Sequence, residues 1–219
     1  MSRFLGPIHH WLFNKIKLYE DLEKEVVDAF KEQYDGIEKI VENNINEYGE
    51  RLPNKPLEEI IDTGNIHGWL QSKIVISETR HAGILRDLFN TYKDDGVLLA
   101  NSVYKENGIK CGLNAKEQYA PSNAEELYKI LNNYILDGMP CDNINNVTDS
   151  TANKVEYKHD TCLHINYWNK AGVEPNKMYD LRRIWTESFI NSANPEFKYQ
   201  VTIEEDNGNR KFHHTIFKK

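Results

Sequence analysis

Between residues 8 and 48 the apolar positions advance in steps of three and four. Ile8, Leu12, Ile16, Tyr19, Leu22, Val26, Phe30, Ile37, Ile40 and Val41 alternate with Glu- and Lys-rich positions. That period sets one apolar face on a helix. Gly36 is the point at which one long helix would become two. RLPNKP at 51–56 breaks the pattern with two prolines. A second helical run extends from Leu57 to Tyr92 through Ile60, Ile61, Leu70, Ile74, Leu85, Leu88 and Phe89, with a break at Thr63–Gly64. KDDG at 93–96 is expected to end it, and Val97–Tyr104 reads as a further short helical piece. Ser122 followed by Glu125 is a capping-box pattern. It opens a helix through Leu127, Ile130, Leu131 and Tyr134, which Gly138 and Pro140 are expected to stop.

The period then changes. Residues 141–153 are rich in Asn and Asp and read as a loop or irregular strand. Val155, Tyr157 and His159 alternate with Glu156, Lys158 and Asp160, a strand signature. A short helix is expected from near Cys162 to Gly172, and Met178, Leu181, Trp185 and Phe189 mark one face of another, ending at Asn194–Pro195. Phe197, Tyr199, Val201 and Ile203 form one face of a strand, DNGN at 206–209 turns it, and Phe212, His214 and Ile216 return. Helices dominate 1–140 and α/β alternation dominates 141–219, which makes the class α+β. The two parts are expected to form one compact domain.

One segment is written twice. GPIHHWLFNKI at 6–16 and GNIHGWLQSKI at 64–74 share Gly, Ile, His, Trp, Leu, Lys and Ile at the same spacing. On a helix, His9 shares a stripe with Leu12, Phe13 and Ile16, and His67 shares one with Leu70 and Ile74. Both imidazoles therefore face apolar packing, where a polar group needs a partner. One reading is a structural hydrogen bond near each helix start. The other is pseudo-symmetric packing that brings both histidines to one metal or ligand site.

Composition narrows the function classes. The chain of 219 residues is 39% hydrophobic and 28% charged, with a net charge of −7. No basic stripe offsets that charge, so nucleic acid is not expected as a partner. No run approaches the roughly 18–20 apolar residues of a membrane span, and MSRFLGPIHHWLF lacks the apolar core of a signal peptide. Cys111, Cys141 and Cys162 form no C-x-x-C pair. A reduced, cytoplasmic protein without disulfides is the expectation, and a homodimer is compatible with the sequence. No Walker loop, dinucleotide fingerprint, Gly-x-Ser-x-Gly or His-Glu-x-x-His occurs.

In 154–217 the strand KVEYKHD runs into Cys162, which opens CLHINYWNKAG. Arg183–Ile184–Trp185–Thr186 lies on the next helix, and Ala193–Asn194–Pro195, a strand, EDNGN and KFHHTIF follow. This third of the chain resembles the L-2-amino-thiazoline-4-carboxylate hydrolase-like family and, more distantly, the four-vinyl-reductase ligand-binding domain. That family usually carries a second cysteine at the start of the last strand, where this chain has His213 and His214. The departure leaves a Cys/His pair suited to a metal and excludes a thiol–thiol reaction. The resemblance implies a vinyl-reductase-domain-like α/β unit under a helical layer, with a small-molecule pocket. It also implies a hydrolase of a small heterocyclic or amide-like C–N bond.

The residues supply candidates for that chemistry. A cysteine at a helix start is placed to act as a nucleophile, and His159 and His164 lie close in sequence as proton-transfer partners of Cys162. The alternative is that Cys162 is a small buried residue. His9, His67 and His214 are candidate ligands for a divalent zinc, iron or manganese ion. Trp11, Trp69, His81 and Trp168 are candidate pocket walls, or simply core. Glu78 and His81 have the Glu-x-x-His spacing of di-iron bundles, but no second helical copy exists and an exposed i,i+3 pair is the preferred reading. The acidic runs YEDLEKE and IEEDN read as solvated faces. Two non-hydrolytic functions stand beside the hydrolase: a module sensing a small ligand, haem or metal, and a helical metalloprotein built on His9, His67 and His81.

Overall fold

Gly6 and Pro7 open the first helix as their chemistry requires, proline at N1 having no N–H to leave unsatisfied. In the computed structural model, which describes residues 5–142, 144–159, 161–206 and 209–219, this helix is α1 (Pro7–Gln33). Tyr34 is extended and ends it, and α2 (Ile37–Tyr48) follows a left-handed Gly36 at φ 81°. Of the two arrangements open at Gly36, one long helix or two successive ones, the chain forms two. After the prolines come a short α3 (Leu57–Ile60) and a long α4 (Ile66–Tyr119). α4 is not stopped by KDDG. Its backbone leaves helical geometry at Lys93 (φ 51°) and then resumes, so Val97–Tyr104 belongs to a helix that runs to Tyr119. Cys111 lies on this extension of α4 and is buried.

Helix α5 spans Ala124–Leu131. Its cap is Asn123, one residue beyond the expected Ser122: Glu126 N–H donates to Asn123 Oδ1 at 2.9 Å, and Ser122 N–H and Oγ donate to Glu126 Oε2. The helix stops at Leu131, well before Gly138. Strand β1 (Asn146–Ser150) occupies part of the Asn-rich stretch and pairs with β2 (Lys154–His159). Helix α6 (Ile165–Ala171) starts three residues beyond Cys162, its N-cap being His164, and ends at left-handed Gly172 as expected. Helix α7 (Pro175–Ala193) and strands β3 (Phe197–Asp206) and β4 (Asn209–Lys218) complete the chain. The turn expected at DNGN falls on residues 207–208, outside the described residues, as do Met1–Phe4 and Asp160.

The fold is α+β, and the chain divides into two compact units interleaved along the sequence. The first contains Met1–Leu99, Gly138–Pro140 and His164–Pro175. Its core is helical: Leu12, Ile16 and Phe30 of α1, Ile37 of α2, Leu70, Ile74, Ile84 and Leu88 of α4, and Trp168 of α6 are buried. Arg86 Nη1 donates to the Ala171 carbonyl at 2.7 Å and helps fix α6 to α4.

The second unit contains Ala100–Asp137, Cys141–Leu163 and Asn176–Lys219. It holds a four-stranded antiparallel sheet ordered β1-β2-β4-β3. Register aligns the apolar faces. Tyr157 lies opposite His214, Val155 opposite Ile216, and Ile216 opposite Tyr199. The α7 stripe of Met178, Leu181, Trp185 and Phe189 is buried as its spacing predicts.

Gly108 and Gly112 of α4 let α7 approach to backbone distance. A Cβ on Gly108 would lie 2.5 Å from the Trp185 carbonyl oxygen, and one on Gly112 would strike the Phe189 carbonyl. Neither obstacle is a flexible side chain, so the helices would have to separate. Gly112→Ala is expected to destabilise the protein by about 1–3 kcal/mol, read as a lower urea midpoint.

Candidate functional site

In the first unit the repeated segments do bring their histidines together, with ring centroids of His9 and His67 5.6 Å apart. The two are not equivalent. His9 is buried, whereas His67 is exposed, contrary to the shared buried stripe expected of them. Gly6 N–H donates to His9 Nδ1 at 2.9 Å, and His9 N–H donates back to the Gly6 carbonyl at 3.0 Å. This is the reciprocal half of a capping box, with histidine in the usual Glu/Gln position and no side chain on Gly6 to supply the other half. A neutral ring that accepts at Nδ1 carries its proton on Nε2. The lone pair that a metal would need is therefore committed to the helix start, and a divalent ion does not fit His9 as it is placed. The repeated Trp and Lys also have a structural account. Lys15 Nζ lies 4.1 Å from the Trp11 ring centroid, and Lys73 Nζ lies 5.3 Å from that of Trp69. Each repeat thus carries an i,i+4 cation–π pair.

The acidic run YEDLEKE is not a solvated face throughout. Glu20 and Glu23 are buried, Glu23 completely, against an Arg80 that is also completely buried. Arg80 Nε donates to both Glu23 oxygens at 3.1 and 3.0 Å, Nη2 to Glu20 Oε1 at 2.7 Å and Nη1 to the Gly49 carbonyl at 3.1 Å. Arg51 Nε adds a 2.7 Å bond to Glu23, and Leu52 N–H one of 2.9 Å to Glu20. Burial opposes the charge on Arg80, but Glu23 and Glu20 outweigh it and raise its pKa. These partners bind both carboxylates from α4 and from the segment after α2, with the buried Arg51 Nη2 left without a hydrogen bond, and the network is architecture.

Glu78 and His81 are likewise buried, at 1% and 0% exposure, so the exposed i,i+3 pair is replaced by two core side chains. His164 Nδ1 donates to Glu78 Oε1 at 2.8 Å and stacks on Trp168 with centroids 5.4 Å apart. Glu78 Oε2 has no hydrogen-bond partner. His81 packs on Tyr19 at 5.0 Å, and burial, opposed by Glu23 but reinforced by Arg80, lowers its pKa to about 4.

In the second unit Cys162 is half-buried and hydrogen-bonded with Tyr179. His159 Nε2 pairs with Asn145 Oδ1. With His164 held by Glu78, the three residues expected to share catalysis are each engaged with a different partner. His159 instead packs against His214, at 4.5 Å between ring centroids. The His214 ring stacks on Tyr157 at 4.6 Å and 8°, its Nδ1 lies 2.6 Å from the Tyr199 hydroxyl, and its buried Nε2 has no partner. Burial and then His159 push the His214 pKa well below the ordinary value, while burial raises that of Tyr199. A protonated phenol facing a neutral imidazole donates to it, which leaves His214 with its own N–H at Nε2.

Tyr199 also walls a groove of about 450 Å³, whose other lining residues are Lys105 of α4, Ile184, Glu187, Ser188 and Asn191 of α7, and Lys198 of β3. None of these was singled out from the sequence except Tyr199 and Ile184. The available signals were a small residue and an amide at positions 188 and 191, spaced to share one face of α7 beside Ile184. Among the described residues, no three His, Cys, Asp or Glu side chains are grouped to hold a metal ion. No described helix is long and apolar enough to cross a membrane.

No protein-family model matches the chain, and no curated protein matches it. Among solved structures it is similar to a variant of the H-NOX protein of T. tengcongensis, at 15% identity, covering 94% of this chain and 97% of that one, with a TM-score of 0.40. The unliganded Fe(II) H-NOX protein of K. algicida is 13% identical, with 90% and 95% covered and a TM-score of 0.36. A structure concerned with modulating haem redox potential through porphyrin distortion is 14% identical, with 88% and 96% covered and a TM-score of 0.35. Likenesses of this size carry no conclusion about the ligand of this chain.

Two outcomes follow from the buried charges. Arg80→Met leaves two carboxylates buried with too few donors and is expected to cost about 3–5 kcal/mol in urea unfolding. His81 has a folded-state pKa of about 4 against 6.5 for the ordinary group. Its contribution to stability is complete above pH 6.5 and is lost as pH falls from there toward 4, because the unfolded chain takes the proton first. His81→Gln is expected to flatten the dependence of unfolding free energy on pH in that window by up to about 1.4 kcal/mol per pH unit.

Proposed function

We propose that this protein is a small-ligand-binding module whose ligand lies in the Lys105–Ile184–Asn191–Tyr199 groove of the second unit. The observation that carries the reading is the groove itself. Its volume of about 450 Å³ falls in the range of ligand sites, roughly 300–1,000 Å³. It joins an aromatic wall and an aliphatic side chain to a hydroxyl, an amide and charged groups, the mixture that orients a small molecule. Tyr199 connects it to His214, so an occupant pressing on the phenol ring acts on a half-buried, neutral imidazole through one hydrogen bond.

The hydrolase reading has less support. A cysteine nucleophile needs a base within hydrogen-bond reach, and the neighbours of Cys162 in sequence are held by Asn145 and Glu78. Haem does not fit the groove as placed. A porphyrin iron needs an axial side chain such as His, Cys or Met, and the lining residues include none. Tyr199 could in principle serve, but its hydroxyl is bonded to His214. His214 is not free to ligate either, since Nδ1 accepts from the Tyr199 hydroxyl and Nε2 carries the ring proton.

Saturation-transfer NMR with a fragment library tests the reading. Fragments are expected to bind the wild-type protein and to be lost in Asn191→Trp, which fills the groove from an exposed position. Hits unaffected by that change would contradict the assignment. Ring-opening of 2-amino-thiazoline-4-carboxylate that is abolished in Cys162→Ala would restore the hydrolase in its place.

A further inference from the structure

The chain carries a net charge of −7, so a basic recess on it is against the average. The groove is such a recess. Lys105 of α4 and Lys198 of β3 are among its lining residues and form no ion pair or hydrogen bond with the described residues. The one carboxylate in the lining, Glu187, pairs with Arg183 Nη1 at 3.3 Å, an exposed arginine that also meets Asp180 at 3.5 Å. The Asn191 Oδ1 accepts from Lys219 Nζ at 3.1 Å, and that ammonium also donates to the Pro195 carbonyl. Two lysines thus line the groove with one carboxylate, which has a cationic partner of its own. Lysines with no carboxylate of their own leave a positive potential in a concave site, where low-dielectric walls focus it.

The remaining surfaces define the body of the occupant. Ile184 and the Tyr199 ring are the apolar parts of the lining, and the Tyr199 hydroxyl is turned to His214. What faces the groove from this residue is aromatic ring, suited to stacking against a planar group. Resting on the ligand-binding reading of this same groove, we propose that the occupant is a small organic anion. It has a planar or apolar body against Ile184 and Tyr199 and an acidic group, carboxylate, sulfonate or phosphate, between Lys105 and Lys198.

A pair of fluorescent probes sharing one skeleton separates charge from shape. Anilinonaphthalene sulfonate is anionic, and phenylnaphthylamine lacks the acidic group. Both are titrated into the full chain, into Lys105→Gln/Lys198→Gln and into Asn191→Trp, with circular dichroism confirming that each variant is folded. The expected result is that the double lysine variant weakens the anionic probe about fivefold or more. The neutral probe should change less than about twofold, and Asn191→Trp should remove both. If the lysine changes leave the anionic probe unaffected while Asn191→Trp still blocks it, the anion assignment is wrong and the binding module stands. If neither probe responds to Asn191→Trp, the ligand-binding reading of the groove fails and the anion assignment falls with it.

Discussion

A guanidinium with no exposure to water holds the first unit together. Arg80 spends its donors on Glu23, Glu20 and the Gly49 carbonyl, and these acceptors come from α1 and from the C-terminal end of α2. Burying charges of this kind costs several kcal/mol each and is recovered only when the remaining donors and acceptors are matched. Arg51 and the Leu52 N–H add donors to the same two carboxylates, while the buried Arg51 Nη2 stays without a hydrogen bond. Helix α1, the segment after α2 and helix α4 must therefore be in register at once, since a slip in any of them strands a charge. Such an arrangement constrains geometry more than it adds stability. It also places Glu78 and His81 in the interior, because they lie within a turn of Arg80 on α4.

The helices and strands were largely legible because their apolar periods are strong. The stops at Gly36 and Gly172 were legible because left-handed backbone favours glycine. KDDG misled for a definite reason: the chain takes one non-helical residue, Lys93, and then continues as a helix, so a local breaker signal was true without being terminal. The cap of α5 shifted from Ser122 to Asn123 because both side chains can accept from the first turn and Glu126 answers either. The buried carboxylates could not be read. Glu20 and Glu23 sit in an acidic run, and the arginine that buries them lies 60 and 57 positions away. Helical spacing alone does not distinguish a wet charged stripe from a paired one.

The sites divide along the same line. The repeat correctly marked His9 and His67 as neighbours, but their chemistry is that of a helix start, visible only once Gly6 N–H is seen on Nδ1. The α7 stripe pointed inward as its period required, and the α7 residues that line the groove flank that stripe and are polar apart from Ile184. Polar positions carry no periodic signal of function. Nor does any pattern in the sequence announce that Lys105 and Lys198, nearly a hundred residues apart, line one recess. By contrast His214 was placed on the inward face of the last strand and is found there, opposite Tyr157.

The central claim is that the ligand site lies at the α7–β3 groove rather than at Cys162, and amide chemical-shift mapping with anilinonaphthalene sulfonate tests it most directly. The account predicts perturbations concentrated at Ile184–Asn191 and Lys198–Tyr199, with a change at the His214 ring nitrogens transmitted through the Tyr199 hydroxyl. Perturbations centred on Cys162 and Tyr179, with the groove silent, would contradict it.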